Sequence, residues 1–463
     1  MKQASYFLLV YSYLCRRKMD FMKKILLFVS IICVSALFAT ASAQRVYRTE
    51  FKVYDTREEA RAGKRPENEK YRVINPVYEG VTDGVKVYVQ RFDVPASWND
   101  YNAYLHLENV KSAYVLMLNG EVVAEVEDDR TPADFMVSPW LRQGENVLVV
   151  ALYKSNCAAI QQHGWHSEDI KPFAGSYLFT QRKLHIYDFS AEIVPNDTRE
   201  YGILNLNVVA ANNFNYEENI SIGYDIYGPD GKLIDYTVRE LTVPGRSLDT
   251  LRIKADIYHS YKYKWGGNRS TAPLYSMMLY VKRNGMIYEY IPFKVGFGRT
   301  EYADGKILRF DEPVKLVRHR FNAAATLAET EKEILAAKRE GVNTLVVDYP
   351  QPEWFYSLCD RQGMYVVDRA NINAPKSSTD RAVGGTPSND PSLAEEYLNR
   401  VKAMYFRSRN HSCIVGFMLG GQAGNGYNMY KAYEYLTSVE TRRPVIYEAA
   451  EGEWNSDPLE MSR

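Results

Sequence analysis

Cysteine is scarce in this 463-residue sequence, which has five Cys, two of them before residue 44. The other three, Cys157, Cys359 and Cys413, lie far apart, and no C-x-x-C pair occurs. An odd number of scattered cysteines does not make a disulfide framework. The absence of paired cysteines also argues against a thiolate zinc site.

An excess of charge of either sign is also absent, because 57 Lys and Arg balance 57 Asp and Glu. A surface that binds nucleic acid needs a basic excess, so nucleic acid is not expected as a partner. No low-complexity tract or block of like charges occurs, which predicts that most of the chain folds. After residue 43 no apolar run of about 18 residues exists, so no membrane span is expected there.

Residues 22–43 have the pattern of a secretory signal peptide. Lys23 and Lys24 give a positive start, an apolar run follows, and Ala41-Ser42-Ala43 is a small-x-small cleavage site. We expect translation to start at Met22, or at Met19, and cleavage to leave Gln44 as the first residue. This predicts a secreted protein, in the periplasm or outside the cell, with residues 1–43 removed.

Short alternating strands and tight turns predict two β-domains. In residues 44–182, Asn119-Gly120 between two apolar runs is a strong hairpin signal, and the strand spacing fits a jelly-roll sandwich. Residues 183–300 repeat the pattern, with turns at 228–231 and 283–285. About six or seven strands over this length predict an immunoglobulin-like sandwich.

Strands and helices alternate over residues 301–463. Thr326 and Glu329 form a capping box, and Asp390 with Pro391 opens a later helix. With residues 314–317 as the first strand, we count about five βα units. Such alternation predicts a parallel sheet, here an incomplete (β/α)8 TIM barrel.

The chain resembles family 2 glycoside hydrolases of the bacterial β-galactosidase type over nearly all of residues 70–450. That resemblance implies the same order of domains: a sugar-binding jelly roll, an immunoglobulin-like sandwich and a TIM barrel. The motifs that carry it are Ile74-Asn75-Pro76, Asn119-Gly120, Asp129-Arg130-x-Pro132, Leu141-Arg-x-Gly-Glu-Asn146, Val295-Gly296-Phe297, Trp354 to Asp368, Arg409-Asn410-His411 and Arg443-Pro444-Val445.

The resemblance implies chemistry that this chain lacks. Retaining glycosidases use two carboxylates, and the family's proton donor is the Glu of an L-G-N-E-S-G segment. Here that segment is Leu419-Gly420-Gly421-Gln422-Ala423-Gly424, which places Gln422 at the acid position. An amide does not act as a general acid near neutral pH. The nucleophile of the family lies on the seventh barrel strand, beyond Arg463, so the chain is predicted to be inactive.

The resemblance also implies a Mg²⁺ site that is lost. β-Galactosidase relatives hold the ion with the acidic Glu and with the Glu and His of an N-I-E-x-H segment. This chain has Asn373 and Pro375 at the latter two positions. Mg²⁺ prefers carboxylate oxygens, so no metal and no other cofactor are expected.

Six residues are candidates for carbohydrate binding. Asp348 follows a predicted strand and is a weak substitute for the acid, although a solvated or ion-paired residue is the plainer interpretation. Gln422 either binds a sugar hydroxyl or fills a relic cleft. His163, at the position of the family's galactose-binding Asp, and His166 flank Trp165, but two His without a third ligand do not indicate a metal. The six are Asn75, His163, Trp165, Asp348, Asn371 and Gln422.

Three functions remain open on the sequence. The first is a secreted glycan-binding protein of carbohydrate metabolism without hydrolytic activity. The second is an active β-galactosidase-type hydrolase of O-glycosyl bonds, completed by a second chain. The third is an envelope assembly protein, because the fifth barrel strand is expected to leave an exposed edge that a protein partner or a homo-oligomer covers.

Overall fold

The computed structural model describes residues 45–155, 157, 160–162, 171–266, 272–322, 326–375 and 386–462. The predicted signal peptide lies outside these residues. Within the described part of the chain, no helix is both long and apolar enough to cross a bilayer.

Two five-stranded antiparallel sheets pack face to face at the start of the described chain, as the jelly-roll prediction requires. The sheet orders are β1-β8-β5-β10-β2 and β3-β4-β9-β6-β7, and the helix α1 (Arg57–Ala62) precedes β2. The predicted hairpin joins β6 to β7, with Asn119 at φ 53° and Gly120 at φ 89°. Two successive positive φ values are the hairpin turn that Asn-Gly favours. The strands are β1 (Arg45–Val46), β2 (Tyr71–Val73), β3 (Val77–Thr82), β4 (Val85–Val94), β5 (Tyr101–Leu107), β6 (Ala113–Leu118), β7 (Glu121–Val126), β8 (Ala133–Met136), β9 (Gly144–Tyr153) and β10 (Tyr177–Arg182).

A second sandwich of seven strands follows, with sheets ordered β11-β12-β15 and β14-β13-β16-β17. Alternate residues of the central strand β12 are fully buried, including Leu204, Leu206 and Val208, because one face of the sheet meets the other sheet. This is the predicted immunoglobulin-like sandwich. Its strands are β11 (Leu184–Pro195), β12 (Gly202–Asn212), β13 (Glu218–Tyr227), β14 (Leu233–Val243), β15 (Ser247–Ile257), β16 (Tyr275–Arg283) and β17 (Met286–Val295).

A small antiparallel sheet leads into the last domain. It consists of β18 (Glu301–Ala303), β19 (Lys306–Arg309) and β20 (Glu312–Val314). We expected Val314 to open the first barrel strand, which is wrong. Val314 pairs with Ile307 in this antiparallel sheet, and the first parallel strand begins two residues later.

The last domain is a curled half-barrel of parallel strands ordered β25-β24-β23-β22-β21-β26. The predicted capping box is present, because the Thr326 hydroxyl accepts from the N–H of Glu329 and donates to its carboxylate. The parallel strand order, with helices between successive strands, confirms the predicted incomplete TIM barrel. Its elements are β21 (Leu316–Phe321), α2 (Leu327–Arg339), β22 (Thr344–Val347), α3 (Glu353–Gln362), β23 (Tyr365–Arg369), α4 (Ala394–Ser408), β24 (Ile414–Met418), α5 (Tyr427–Val439), β25 (Val445–Ile446) and β26 (Met461–Ser462).

The edge of β25 is covered by residues 455–462, which we call the strap. The N–H of Asp457 donates to the carbonyl of Val445 (2.8 Å), and the N–H of Val445 donates to the Asp457 carboxylate (2.7 Å). The N–H of Tyr447 donates to the Ser456 hydroxyl (2.8 Å). The expectation of an exposed edge at the fifth strand is therefore wrong, because the strap bonds to the backbone groups of this edge.

The same strap reaches the opposite edge of the sheet. Its last residues are β26, which pairs in parallel with β21 by placing Met461 beside Leu316. On the way, the carbonyl of Pro458 accepts from the Tyr302 hydroxyl (2.6 Å), and the N–H of Glu460 donates to Gly305 (3.0 Å). The strap thus connects the two edges of the half-barrel.

We predict that Asp457→Ala destabilises the half-barrel by about 2 kcal/mol, because it leaves the N–H of Val445 and the hydroxyl of Tyr433 without their acceptor. Urea unfolding followed by circular dichroism measures the change. Glu460→Ala, at an exposed position of the same strap, is the matched control and is expected to have no measurable effect. Equal stabilities of the two variants would contradict the role of Asp457.

Candidate functional site

The inner face of the half-barrel is charged along its first strand. Successive side chains of a strand point to opposite faces. Phe321 of β21 stacks on Phe355 of α3 (4.9 Å between ring centroids), so Phe321 faces the helices. Arg318 and Arg320, on the other face, therefore point inward, and Arg318 donates to Glu448 just after β25 (2.5 Å).

Asp348, which follows β22, lies between two arginines at the carboxyl ends of the strands. The Nε and Nη2 atoms of Arg320 donate to its two oxygens, at 2.8 Å each, and Arg369 at the end of β23 donates to the same carboxylate. These bonds raise the pKa of Arg320. Both oxygens of Asp348 are therefore acceptors in ion pairs, which does not suit a general acid that must carry a proton. This arrangement matches the ion-paired interpretation of Asp348.

A second carboxylate near the strand ends is Asp368 on β23. Burial raises its pKa to about 6, against hydrogen bonds that include one from the Tyr356 hydroxyl. That value is in the range of general acids. However, Tyr356 lies on α3, and the Asp368 side chain has no exposed surface. Asp368 therefore belongs to the packing between sheet and helices and has no access to a ligand.

Gln422, at the expected acid position, is exposed just after β24. Its backbone carbonyl accepts from the N–H of Ala374 (2.6 Å). Its neighbour Gly421 lies against Asn373. A Cβ atom on Gly421 would be 2.3 Å from the Asn373 Oδ1. The present position of the Asn373 side chain therefore requires a residue without a Cβ atom at position 421.

The residues at the expected Mg²⁺ positions do not fit the ion. Asn373 donates its Nδ2 to the carbonyl of Gln162 (2.8 Å), and its Oδ1 lies against Gly421. Pro375 offers no side-chain donor atom, and Gln422 is a neutral amide. Among the described residues, no group of three or more His, Cys, Asp and Glu side chains could hold a metal.

Asn371 connects the half-barrel to the jelly roll. Its Nδ2 donates to Asp128 (2.7 Å) and Asp129 (3.0 Å), and its carbonyl accepts from Arg400 of α4 (2.9 Å). The side chain is fully buried, so the expectation that Asn371 contacts a sugar is wrong in this conformation. It fixes the position of one domain against the other.

Asp128 carries the charge of this interface. Burial alone would raise its pKa, but Arg400, Arg45 and the amide of Asn371 lower it to about 2. The Arg400 side chain is also fully buried. A buried carboxylate held by cations contributes stability only while it is charged.

One further candidate, Asn75, lies in the described part of the jelly roll. Asn75 is exposed after β2, and its backbone N–H donates to the Gln90 side chain (2.7 Å). His163 and Trp165, with His166, lie outside the described residues.

Sequence reasoning missed Arg318, Arg320 and Arg369, because charged residues inside a short strand resemble the exposed side of an edge strand. Glu448, which accepts from Arg318, was not among the sequence candidates either. The structure places a cavity of about 510 Å³ beside Arg318, and its lining includes Tyr447, Glu448, Glu451 and Glu453.

Comparisons with known proteins agree with this architecture. Residues 68–178 match the sugar-binding domain of the glycosyl hydrolases of family 2, and residues 318–460 match the TIM-barrel domain of the same family. The chain is 27% identical over 377 residues to a β-galactosidase of Priestia megaterium, which covers 78% of this chain and 36% of the relative. It is 24% identical to the β-galactosidase large subunit of Lactobacillus acidophilus, with 80% and 59% covered.

Solved structures show the same fold. A β-glucuronidase of Bacteroides uniformis superposes with a TM-score of 0.64 at 15% identity, covering 79% of this chain and 46% of that one. A β-glycosidase of Bacteroides vulgatus gives 0.62 at 17% identity, with 80% and 47% covered. The protein is a member of glycoside hydrolase family 2. It spans about a third of the length of the full-size β-galactosidase that it matches.

We predict that Asp128→Asn removes about 2 kcal/mol of stability at pH 7. The folded pKa of Asp128 is about 2, below its ordinary value of 3.8, so its contribution is present above about pH 4. The contribution is lost as the pH falls through 2, and the gap between variant and parent should close there. Urea unfolding at pH 7, 4 and 2.5 measures it.

Asp249→Asn, at an exposed position of β15, is the control and should leave both stability and its pH dependence unchanged. A gap between Asp128→Asn and the parent that stays constant down to pH 2.5 would contradict the assignment.

Proposed function

We propose that this chain is a secreted glycan-binding member of its family that does not hydrolyse glycosides. The observation that carries the proposal is the pairing of Asp348 with Arg320 and Arg369. Hydrolysis with retention needs one carboxyl group that donates a proton and a second that attacks the anomeric carbon. At the strand ends of this chain, Asp348 and Glu448 both accept from arginine, and Gln422 is an amide.

Glycan binding is supported by what these strand ends offer. In barrel folds, ligands bind at the carboxyl ends of the strands. Gln422 is exposed there, and its amide can donate to and accept from sugar hydroxyls. The cavity of about 510 Å³ beside Arg318 is lined by carboxylates and by apolar residues such as Leu459 and Met461, a mixture that suits the hydroxyls and C–H faces of a sugar.

The purified protein should bind a sugar and leave it intact. We expect one class among β-galactosides, β-glucuronides and β-mannosides to raise the melting temperature, because a ligand of the folded state stabilises it. Nitrophenyl glycosides of the same sugars should release no nitrophenol. Gln422→Ala should reduce the shift in melting temperature, whereas Glu460→Ala should not. Release of nitrophenol by the protein alone would refute the proposal.

A second candidate function is that of an active β-galactosidase-type hydrolase completed by another polypeptide. The observation in its favour is the likeness to a relative named as a large subunit, of which this chain covers 59%. Because Gln422 is an amide and Asp348 is paired with two arginines, the second polypeptide would have to supply a proton donor. Nitrophenol released only after mixing this protein with the product of an adjacent coding sequence would favour this function over the first.

Secretion is the remaining part of the proposal. The run of residues 22–43 should direct export, with cleavage after Ala43. N-terminal sequencing of the protein from the exported fraction should give Gln44 as the first residue. Lys23 and Lys24 replaced by Glu should keep the chain inside the cell. An exported protein whose sequence still begins at Met22 would contradict the predicted cleavage.

A further inference from the structure

An exposed tryptophan lies immediately before the strap. Trp454 is 57% exposed, although Trp98 and Trp265 are buried. Single exposed apolar residues are ordinary on a protein surface. Trp454 differs from these because its ring packs on two rings of α5: Tyr430 at 5.3 Å and Tyr433 at 5.7 Å between centroids.

The rings around Trp454 are held in place by hydrogen bonds. The Tyr430 hydroxyl donates to Glu453 (2.6 Å), and the Tyr433 hydroxyl donates to Asp457 of the strap (2.8 Å). Asn455, the next residue after Trp454, is fully buried and exchanges two amide hydrogen bonds with Asn425 (3.0 and 2.9 Å). An aromatic surface fixed in this way loses little conformational entropy when a ligand binds.

Tyr427 extends the surface along α5. It is 57% exposed, and it lies three residues before Tyr430, which places both side chains on the same side of the helix. Glu451 and Glu453 lie just before Trp454 in the sequence. Both also line the cavity beside Arg318. The exposed aromatic rings thus meet the lining of this cavity at Glu453, which accepts from the Tyr430 hydroxyl.

This combination fits one class of ligand. A pyranose ring has an apolar face of C–H groups that stacks on an aromatic side chain, and hydroxyls that donate to carboxylates. Two cations lie near these rings and the cavity, and each is paired: Lys431, over the Tyr427 ring, with Glu434 (2.7 Å), and Arg318 with Glu448 (2.5 Å). Glu451 and Glu453 add further negative charge, so a uronic or sulfated sugar would be repelled. The surface therefore suits a neutral sugar.

We propose that Trp454, Tyr430 and Tyr427 form a stacking site for a neutral hexopyranose of a glycan, with Glu451 and Glu453 accepting its hydroxyls. The proposal rests on the proposed glycan-binding function and adds a second contact region, separate from Gln422. A glycan that binds here reaches the cavity inside the half-barrel through Glu453.

Calorimetric titration of the full protein tests the proposal, with a neutral β-linked galacto-oligosaccharide and an oligogalacturonate as probes. Trp454→Ala should weaken binding of the neutral probe at least tenfold, whereas Trp454→Phe should keep it within a few-fold. Tyr216→Ala is the matched control, because Tyr216 has the same exposed fraction of 57% and lies in the second sandwich. Melting temperatures of all variants check that each protein is folded.

The proposal is supported if Trp454→Ala weakens binding while Tyr216→Ala does not, and if the neutral probe also protects tryptophan fluorescence from iodide quenching. Neutral-sugar binding that survives Trp454→Ala but is reduced by Gln422→Ala overturns the stacking site and leaves the proposed function standing. Equal affinity for the oligogalacturonate overturns the preference for neutral sugars. Absence of binding to any sugar overturns the proposed function itself, and the stacking site with it.

Discussion

A parallel sheet that does not close on itself has two edges, and the backbone groups of both edges need hydrogen-bond partners. In this protein one short segment, the strap, meets that requirement at β25 and at β21. The edge strand β25 has only two residues, and its outer backbone groups bond to the strap and not to a further strand. Residues 455–462 thus connect the first and fifth strands of the half-barrel. The same residues form part of the wall of the cavity beside Arg318.

The inner surface of this half-barrel differs from the core of a closed barrel, where large apolar side chains fill the interior in layers. Here Arg318 and Arg320 occupy inward positions of β21 and pair with carboxylates from neighbouring strand ends. Ion pairs at partly exposed positions contribute little stability, so they are not what holds the sheet together. Their effect is chemical, because they engage two carboxylates near the strand ends, of which Glu448 lines the cavity.

The order of domains could be predicted because short-range sequence patterns determine where strands, turns and helices begin. Asn119-Gly120 predicts its hairpin through backbone preference alone, and Thr326 with Glu329 predicts the start of α2 through capping. The strap could not be predicted in this way. Its contacts join residues far apart in the chain, such as Pro458 with Tyr302, and its sequence has neither helical nor strand periodicity.

The candidate site was predicted only in part for a related reason. Sequence positions identified Gln422 and Asp348, but the partners of Asp348 come from two other strands. Asn371 was expected to meet a ligand, and the structure places it in a contact between domains. Which of these polar residues face solvent depends on packing between domains, and a single sequence carries no direct signal for such packing.

The contact between Gly421 and Asn373 sets a steric condition on this surface. The Cβ atom of any other residue at position 421 would lie 2.3 Å from the Asn373 Oδ1, so the amide of Asn373 would have to shift. That amide also donates to the carbonyl of Gln162, and the shift would disturb this hydrogen bond. Substitution of Gly421 therefore affects a bond between the half-barrel and the segment around residue 162.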